Sequence, residues 1–138
     1  AARRHLNVGG LLIFDVWYGP AILHDRPAER VRARSLGEKT ALRSATATLD
    51  TSRHVCTVDY RLWQMEQGVL VNETTETHVM RYFFPLELQL FLECAAFELA
   101  QLSAFPRIDV PADDHSRNAL VVARARLSTR PQGAVGGL

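Results

Sequence analysis

The sequence predicts an α/β fold that carries an inserted antiparallel β meander. Three observations lead there. Leu11-Leu12-Ile13-Phe14-Asp15-Val16-Trp17 is apolar at positions of both parities, as in a strand covered on both faces by other elements. Residues 55–65 and 69–82 have strand character and are joined across Glu66-Gln67-Gly68, a hairpin turn. Pro85 then opens a helical segment to about Ala96, and two strands at 97–105 and 118–126 close the ordered chain.

Each element has its own local reason. Residues 1–6 read as the end of a helix, because Arg3, Arg4 and His5 suit its C-terminal dipole and Gly9-Gly10 turns the chain into the first strand. From Gly19 to Arg43, Pro20, Pro27 and Gly37 stand among Arg26, Arg30, Arg32 and Arg34. With no sustained apolar periodicity, this stretch reads as a long excursion with room for a short helix. A strand is expected at 46–49. In the next one, Cys56, Val58, Tyr60 and Leu62 oppose Val55, Thr57, Asp59 and Arg61 across the pleat. Leu86, Leu88, Leu90 and Leu92 would also suit a strand, but length and the proline decide for helix. A polar loop with Pro106, Pro111, Asp113 and Asp114 separates the last two strands, and residues 127–138 read as a flexible tail.

A chain of 138 residues with 47% hydrophobic content can bury one core, so a single domain is expected. The net charge of +1, from 16 basic against 15 acidic side chains, supplies no bulk field for nucleic acid or an anionic membrane, and neither is expected as a partner. No apolar stretch approaches a membrane span and no charged-then-apolar start resembles a leader. A soluble, cytoplasmic protein is the expectation. Cys56 and Cys94 have neither CxxC nor metal-ligand spacing and are expected as buried thiols. His5, His24, His54 and His115 share no HxH or HExxH spacing, so no metal site is expected.

Several segments, in order, resemble the C-terminal half of a class I S-adenosylmethionine-dependent methyltransferase of the small-molecule type. Residues 1–15, through Gly9-Gly10 to Asp15, are similar to that family's helix, "LkpGG" turn and fifth strand. Glu76-Thr77-His78-Val79-Met80-Arg81-Tyr82-Phe83-Phe84-Pro85 is similar to its "EtHrmRyftpeEl" segment, and Glu93-Cys94-Ala95-Ala96-Phe97-Glu98-Leu99 stands where it has an "eaAGFel" turn. Residues 118–124 are similar to its final "navvvArk" strand, so the resemblance covers about residues 1–126. It implies a partial Rossmann-like sheet made of the family's last three strands, with residues 19–82 as excursion and antiparallel insertion. Three positions depart from the pattern. Val8 replaces a turn proline, Arg117 replaces an aromatic residue, and Ala96 replaces a glycine that commonly caps the helix in a left-handed conformation. Alanine there costs roughly 1 kcal/mol against glycine.

The resemblance implies S-adenosylmethionine as cofactor, held in that family by a glycine-rich loop and an acidic residue that lie before the matched portion. The sequence contains no GxGxG, and Gly9-Gly10 enters a strand instead of opening a helix. The expectation is an acceptor-side half of a methyltransferase, inactive as an isolated chain, with a small-molecule acceptor. Its first strand would lack a neighbour, which points to a homo-oligomer or an N-terminal partner chain.

Functional groups in open α/β sheets gather at the carboxyl ends of parallel strands, which places Asp15, Trp17 and Tyr18 at that edge. The resemblance implies the same three for the acceptor pocket; the alternative is that Trp17 and Tyr18 are core and rim aromatics. Arg81 and Tyr82 precede the last helix, where the resemblance implies polar groups turned to the acceptor or to the donor carboxylate. Arg81 suits an anionic acceptor, or an ion pair with Glu76 or Glu87. His78 is the candidate base, since imidazole exchanges protons near neutrality, or else a structural strand residue. Arg26, Arg30, Arg32 and Arg34 could meet phosphates, but with Glu29 among them and no interleaved aromatics they read as a solvated, mobile face. Two further readings stay open. One is a non-catalytic binding or scaffold protein on the same fold; the other is an independent small α+β cyclase-like enzyme using Asp59, His78 and Arg81.

Overall fold

The computed structural model describes residues 1–127, so all but the first residue of the tail expected at 127–138 lies outside the described residues. In chain order the elements are β1 (Leu11–Tyr18), α1 (Gly19–His24), β2 (Arg30–Leu36), β3 (Lys39–Asp50), β4 (Val55–Glu66), β5 (Val69–Phe83), α2 (Pro85–Cys94), β6 (Phe97–Ala104) and β7 (Asn118–Ala125). The strands hydrogen-bond in the order β2-β3-β4-β5-β1-β7-β6. Contacts divide the chain into two units. Among the described residues, the first comprises Ala1–Val16, Phe84–Ala112 and 118–127; the second comprises Trp17–Phe83 and Asp113–Arg117.

In the first unit, the residues expected as a helix end form a single 3-10 turn, Ala2–His5. The Arg3 guanidinium ties it down by donating to the Leu6 carbonyl at 2.8 Å and to the Arg126 carbonyl. Gly9 sits at φ +83, which glycine adopts without strain, and its N–H donates to the Ala125 carbonyl at 2.8 Å. Exposure then alternates along β1. Leu11 is 46% and Ile13 58% exposed, while Leu12, Phe14 and Val16 are half-buried. The expectation of a strand covered on both faces is corrected: apolar side chains of both parities are present, but only one parity is packed among the described residues.

Pro85 fixes the first turn of α2, and the Glu87 carboxylate accepts from the Phe84 N–H at 3.4 Å, satisfying a donor the helix leaves open. Leu88 and Leu92, four residues apart, are buried and the helix lies against β6. The helix stops at Ala96, which adopts φ 60 while its N–H donates to the Glu93 carbonyl at 3.0 Å. Cys94 at that end is exposed, which corrects the expectation of two buried thiols; Cys56 alone is buried. β6 and β7 pair antiparallel from Phe97↔Ala125 to Ala104↔Ala119, and Val121 and Ala123 are buried.

The second unit is the meander. β2 pairs with β3 through Arg30↔Ala45 to Leu36↔Lys39, and β3 with β4 through Lys39↔Glu66 to Asp50↔Val55. β4 and β5 meet across Gln67 (φ 50) and Gly68 (φ 79), the two positive-φ residues of a type I′ turn, at the hairpin read from the sequence. β5 then runs parallel to the end of β1 at Trp17↔Tyr82 and Tyr18↔Phe83. The long excursion read at residues 19–43 holds the short helix allowed for there, α1, but the reading is corrected in that it also holds all of β2 and the start of β3, and the strand expected at 46–49 lies toward the end of a longer one. Every residue of β2 is exposed, so no apolar alternation marks it. Its period of two is carried by Arg30, Arg32 and Arg34 instead.

Candidate functional site

The register of the meander brings one parity of side chains to a common face. Directly opposed residues share a face. Arg32 faces Arg43, Ala45 faces Tyr60, Ala47 faces Val58, and these continue to Glu76 and His78 on β5. Trp17, opposite Tyr82, closes the row. A cavity of ≈ 490 Å³ opens there, walled by Trp17, Tyr60, Leu62 and Met80 and carrying Glu76 and His78. That volume falls within the usual range for a small-molecule site. A second recess of ≈ 190 Å³ shares Trp17, Arg43, Val58 and Tyr60 with the first, and adds Arg30, Arg32 and Arg117 over a floor of Ala45 and Ala47.

Tyr60 is the hinge of this chemistry. The Arg43 guanidinium sits 5.0 Å from its ring centroid, and the His78 ring meets it edge-on at 5.4 Å. His78 Nε2 lies 3.1 Å from Glu76 Oε2. With the two side chains 50% and 64% exposed, this contact adds little to stability; its effect is to orient the ring and leave Nδ1 for another partner. Arg117 donates to Asp25 Oδ2 at 3.0 Å at the far side of the recess.

The sequence candidates separate. Trp17 and His78 line the cavity. Tyr18 is buried, and burial, reinforced by Asp114 and Asp113, raises its phenol above the ordinary value. Tyr82 is buried and stacks on His54 at 5.6 Å. Asp15, in the first unit, accepts from Asn118 Nδ2 at 3.1 Å. Arg81 has the opposite parity to His78 and places its guanidinium 4.9 Å from the Phe83 ring centroid. Asp59 shares that opposite parity and accepts from Thr77 Oγ1 at 2.6 Å, so Asp59, His78 and Arg81 do not assemble into one constellation. Among the described residues, no three His, Cys, Asp or Glu side chains stand together as a metal would need.

Sequence reasoning did not select Arg43 or Tyr60 as site residues, weighed Glu76 only as a partner for Arg81, and met Arg117 only as a departure from the family pattern. Arg30 and Arg32, expected on a solvated, mobile face, are exposed, and they stand on a paired strand at the mouth of the smaller recess. The signal for them was the Arg-x-Arg-x-Arg spacing, which is strand spacing, together with Ala41, Ala45 and Ala47 at the same parity.

A donor cradle is a separate requirement, and Gly9-Gly10 does not fit one. The Gly9 N–H donates to the Ala125 carbonyl at 2.8 Å and the Gly10 carbonyl accepts from the Ala125 N–H at 2.8 Å, so these backbone groups belong to the sheet.

No family model and no curated protein matches the chain by sequence. Solved structures match its fold. The CcbJ methyltransferase from Streptomyces caelestis aligns over 90% of this chain and 50% of its own, at 19% identity and TM-score 0.66. An S-adenosylmethionine-dependent methyltransferase from Clostridium acetobutylicum aligns over 90% and 48%, at 10% identity and TM-score 0.70. The sugar N-methyltransferase from Streptoalloteichus sp. aligns over 90% and 45%, at 19% identity and TM-score 0.67. The chain therefore has a methyltransferase-like α/β fold and spans about half the length of these structures.

Proposed function

We propose that this chain is the acceptor side of an S-adenosylmethionine-dependent methyltransferase for a small molecule, and that it is inactive alone. The observation that carries the reading is the ≈ 490 Å³ cavity with aromatic walls and the Glu76–His78 pair on its rim. Matching structures include a sugar N-methyltransferase and an amino pentose methyltransferase, which makes an amino sugar the acceptor to try first. Since the chain's paired glycines do not fit the donor, no step is assigned through it. What these residues do is limited to the acceptor. Trp17 and Tyr60 flank its ring, and His78 takes the proton that an amine or hydroxyl must lose to become nucleophilic, with Glu76 holding the imidazole tautomer.

The test is an NMR titration of the chain with an amino sugar. Saturable shifts at the Trp17 indole and the His78 ring are expected, the His78 shifts being lost in Trp17→Ala and the Trp17 shifts being retained in His78→Gln. S-adenosylhomocysteine should not bind. Saturable binding of that nucleoside, or sugar-induced shifts that avoid Trp17 and His78, would sink the reading.

We also propose that the exposed apolar side chains Val8, Leu11 and Ile13 are covered by a second copy or by an N-terminal partner chain. Light scattering at high concentration should then give a mass above that of one chain, and a strict monomer together with failure to bind any co-expressed partner half would refute it.

A further inference from the structure

The smaller recess carries more positive charge than the meander's own packing explains. Arg32 and Arg43 are directly opposed across β2 and β3, an arrangement that destabilises an antiparallel pair when the charges are alike. Arg30 stands two residues away on the same face, and Arg117 borders the recess from the loop before β7. Among the described residues, no carboxylate forms an ion pair with Arg30, Arg32 or Arg43; of the strand carboxylates on this face, Glu76 is engaged by His78 and Glu66 by Lys39, and Asp25 answers Arg117 alone. The floor beneath the guanidinium groups is Ala45 and Ala47, so nothing from β3 fills the space they surround.

Arginines that line one small recess can offer a phosphoryl oxyanion the paired N–H donors it accepts from guanidinium groups. We propose that this recess is an oxyanion site that anchors a phosphoryl group carried by the acceptor, so that the molecule bound between Trp17 and His78 is an anionic, phosphorylated small molecule. The proposal rests on the acceptor-side reading above and adds the class of acceptor. Arg43 couples the two compartments. Its charge faces the recess while its contact with the Tyr60 ring reaches the wall of the larger cavity, so a phosphoryl group on Arg43 sits beside a sugar-sized space that ends at His78.

The experiment titrates the full chain at fixed ionic strength with an amino sugar, its phosphate monoester and inorganic phosphate. The ester should bind about tenfold more tightly than either of the others. Arg32→Gln should weaken the ester by about tenfold and leave the unphosphorylated sugar unchanged. Arg61→Gln, an equal charge change on the opposite parity of β4, should leave the ester unchanged. In phosphate-free, low-salt buffer Arg32→Gln should also raise the thermal midpoint, because it relieves the like-charge pair. Equal affinity for ester and sugar, an equal loss in Arg61→Gln, or a lowered midpoint in Arg32→Gln each overturns the proposal. Ester and inorganic phosphate binding alike overturns the acceptor part of it and leaves a free-phosphate site. If neither sugar reaches Trp17 and His78 while the ester still needs Arg32, the acceptor-side reading falls and the oxyanion site stands.

Discussion

Ala96→Gly should stabilise the first unit. Ala96 adopts φ 60 to end α2, and its backbone is committed there: its N–H donates to Glu93 at 3.0 Å and its carbonyl accepts from the Arg126 N–H at 2.9 Å. The left-handed conformation costs an alanine about 1–2 kcal/mol, and glycine essentially nothing. Glycine returns about 0.4–1 kcal/mol of that as extra freedom in the unfolded chain. The net expectation is a gain of about 0.5–1 kcal/mol, or about 2–4 °C in a domain of this size. The probe matters, because Trp17 and Trp63 both lie in the second unit. Urea unfolding should therefore be followed by far-UV circular dichroism, which reports α2, with tryptophan fluorescence recorded alongside. A rise in the dichroism midpoint at unchanged m is expected. Gly68→Ala supplies the mirror experiment. Its φ is 79 and no atom stands within 4 Å of a Cβ built there, so strain alone should lower the midpoint by about 1 kcal/mol. An unchanged or lowered midpoint for Ala96→Gly, with Gly68→Ala neutral, would refute the backbone argument for both sites.

Three other outcomes are expected. Ile22 on α1 is fully buried, so Ile22→Ala should cost about 2–5 kcal/mol by fluorescence-monitored urea unfolding, and a loss under 1 kcal/mol would contradict its place in the core. Asp113 accepts from the Ser116 hydroxyl at 2.7 Å and the His115 N–H at 3.1 Å, which lowers its carboxyl below the ordinary range. Its stabilisation is present above that range and lost as pH falls through the lowered value, so Asp113→Ala should be less stable at neutral pH and converge with the parent in acid. Tyr18 is raised by burial and then by Asp114 and Asp113, so its contribution is whole below the ordinary phenol value and lost as pH climbs past it. Thermal midpoints should accordingly fall less steeply at alkaline pH in Tyr18→Phe than in the parent, and parallel curves would contradict this.

What could be read in the sequence had a local cause. Pro85 marks a first helical turn, Gln67-Gly68 marks a two-residue hairpin, and the apolar run 119–123 marks a strand, each without reference to distant residues. β2 carried no such signal, because an edge strand with every residue exposed needs no apolar side. Its arginines therefore read as a solvated, mobile face. The candidate site was harder still. Trp17 and His78 could be proposed from position and chemistry, but the joining of Arg32 to Arg43, and of Ala45 to Tyr60, exists only once the cross-strand register is fixed. Arg81 and Asp59 looked equal to His78 in chemistry and differ from it by parity alone.

The arginine at every second residue of β2 has a consequence for the crowded chain in solution. β2 ends the hydrogen-bonded order, so its outer N–H and C=O groups form a template on which another extended segment could grow. A second β2 laid along it would bring two guanidinium ladders into register, and the growing ribbon would repel itself at every layer. That guard is electrostatic and therefore conditional: it acts across about 10 Å at 0.1 M salt and shortens to about 3 Å at 1 M. Concentrated salt or a polyanion that neutralises the ladder should turn the same edge from a barrier against fibrous assembly into its starting point.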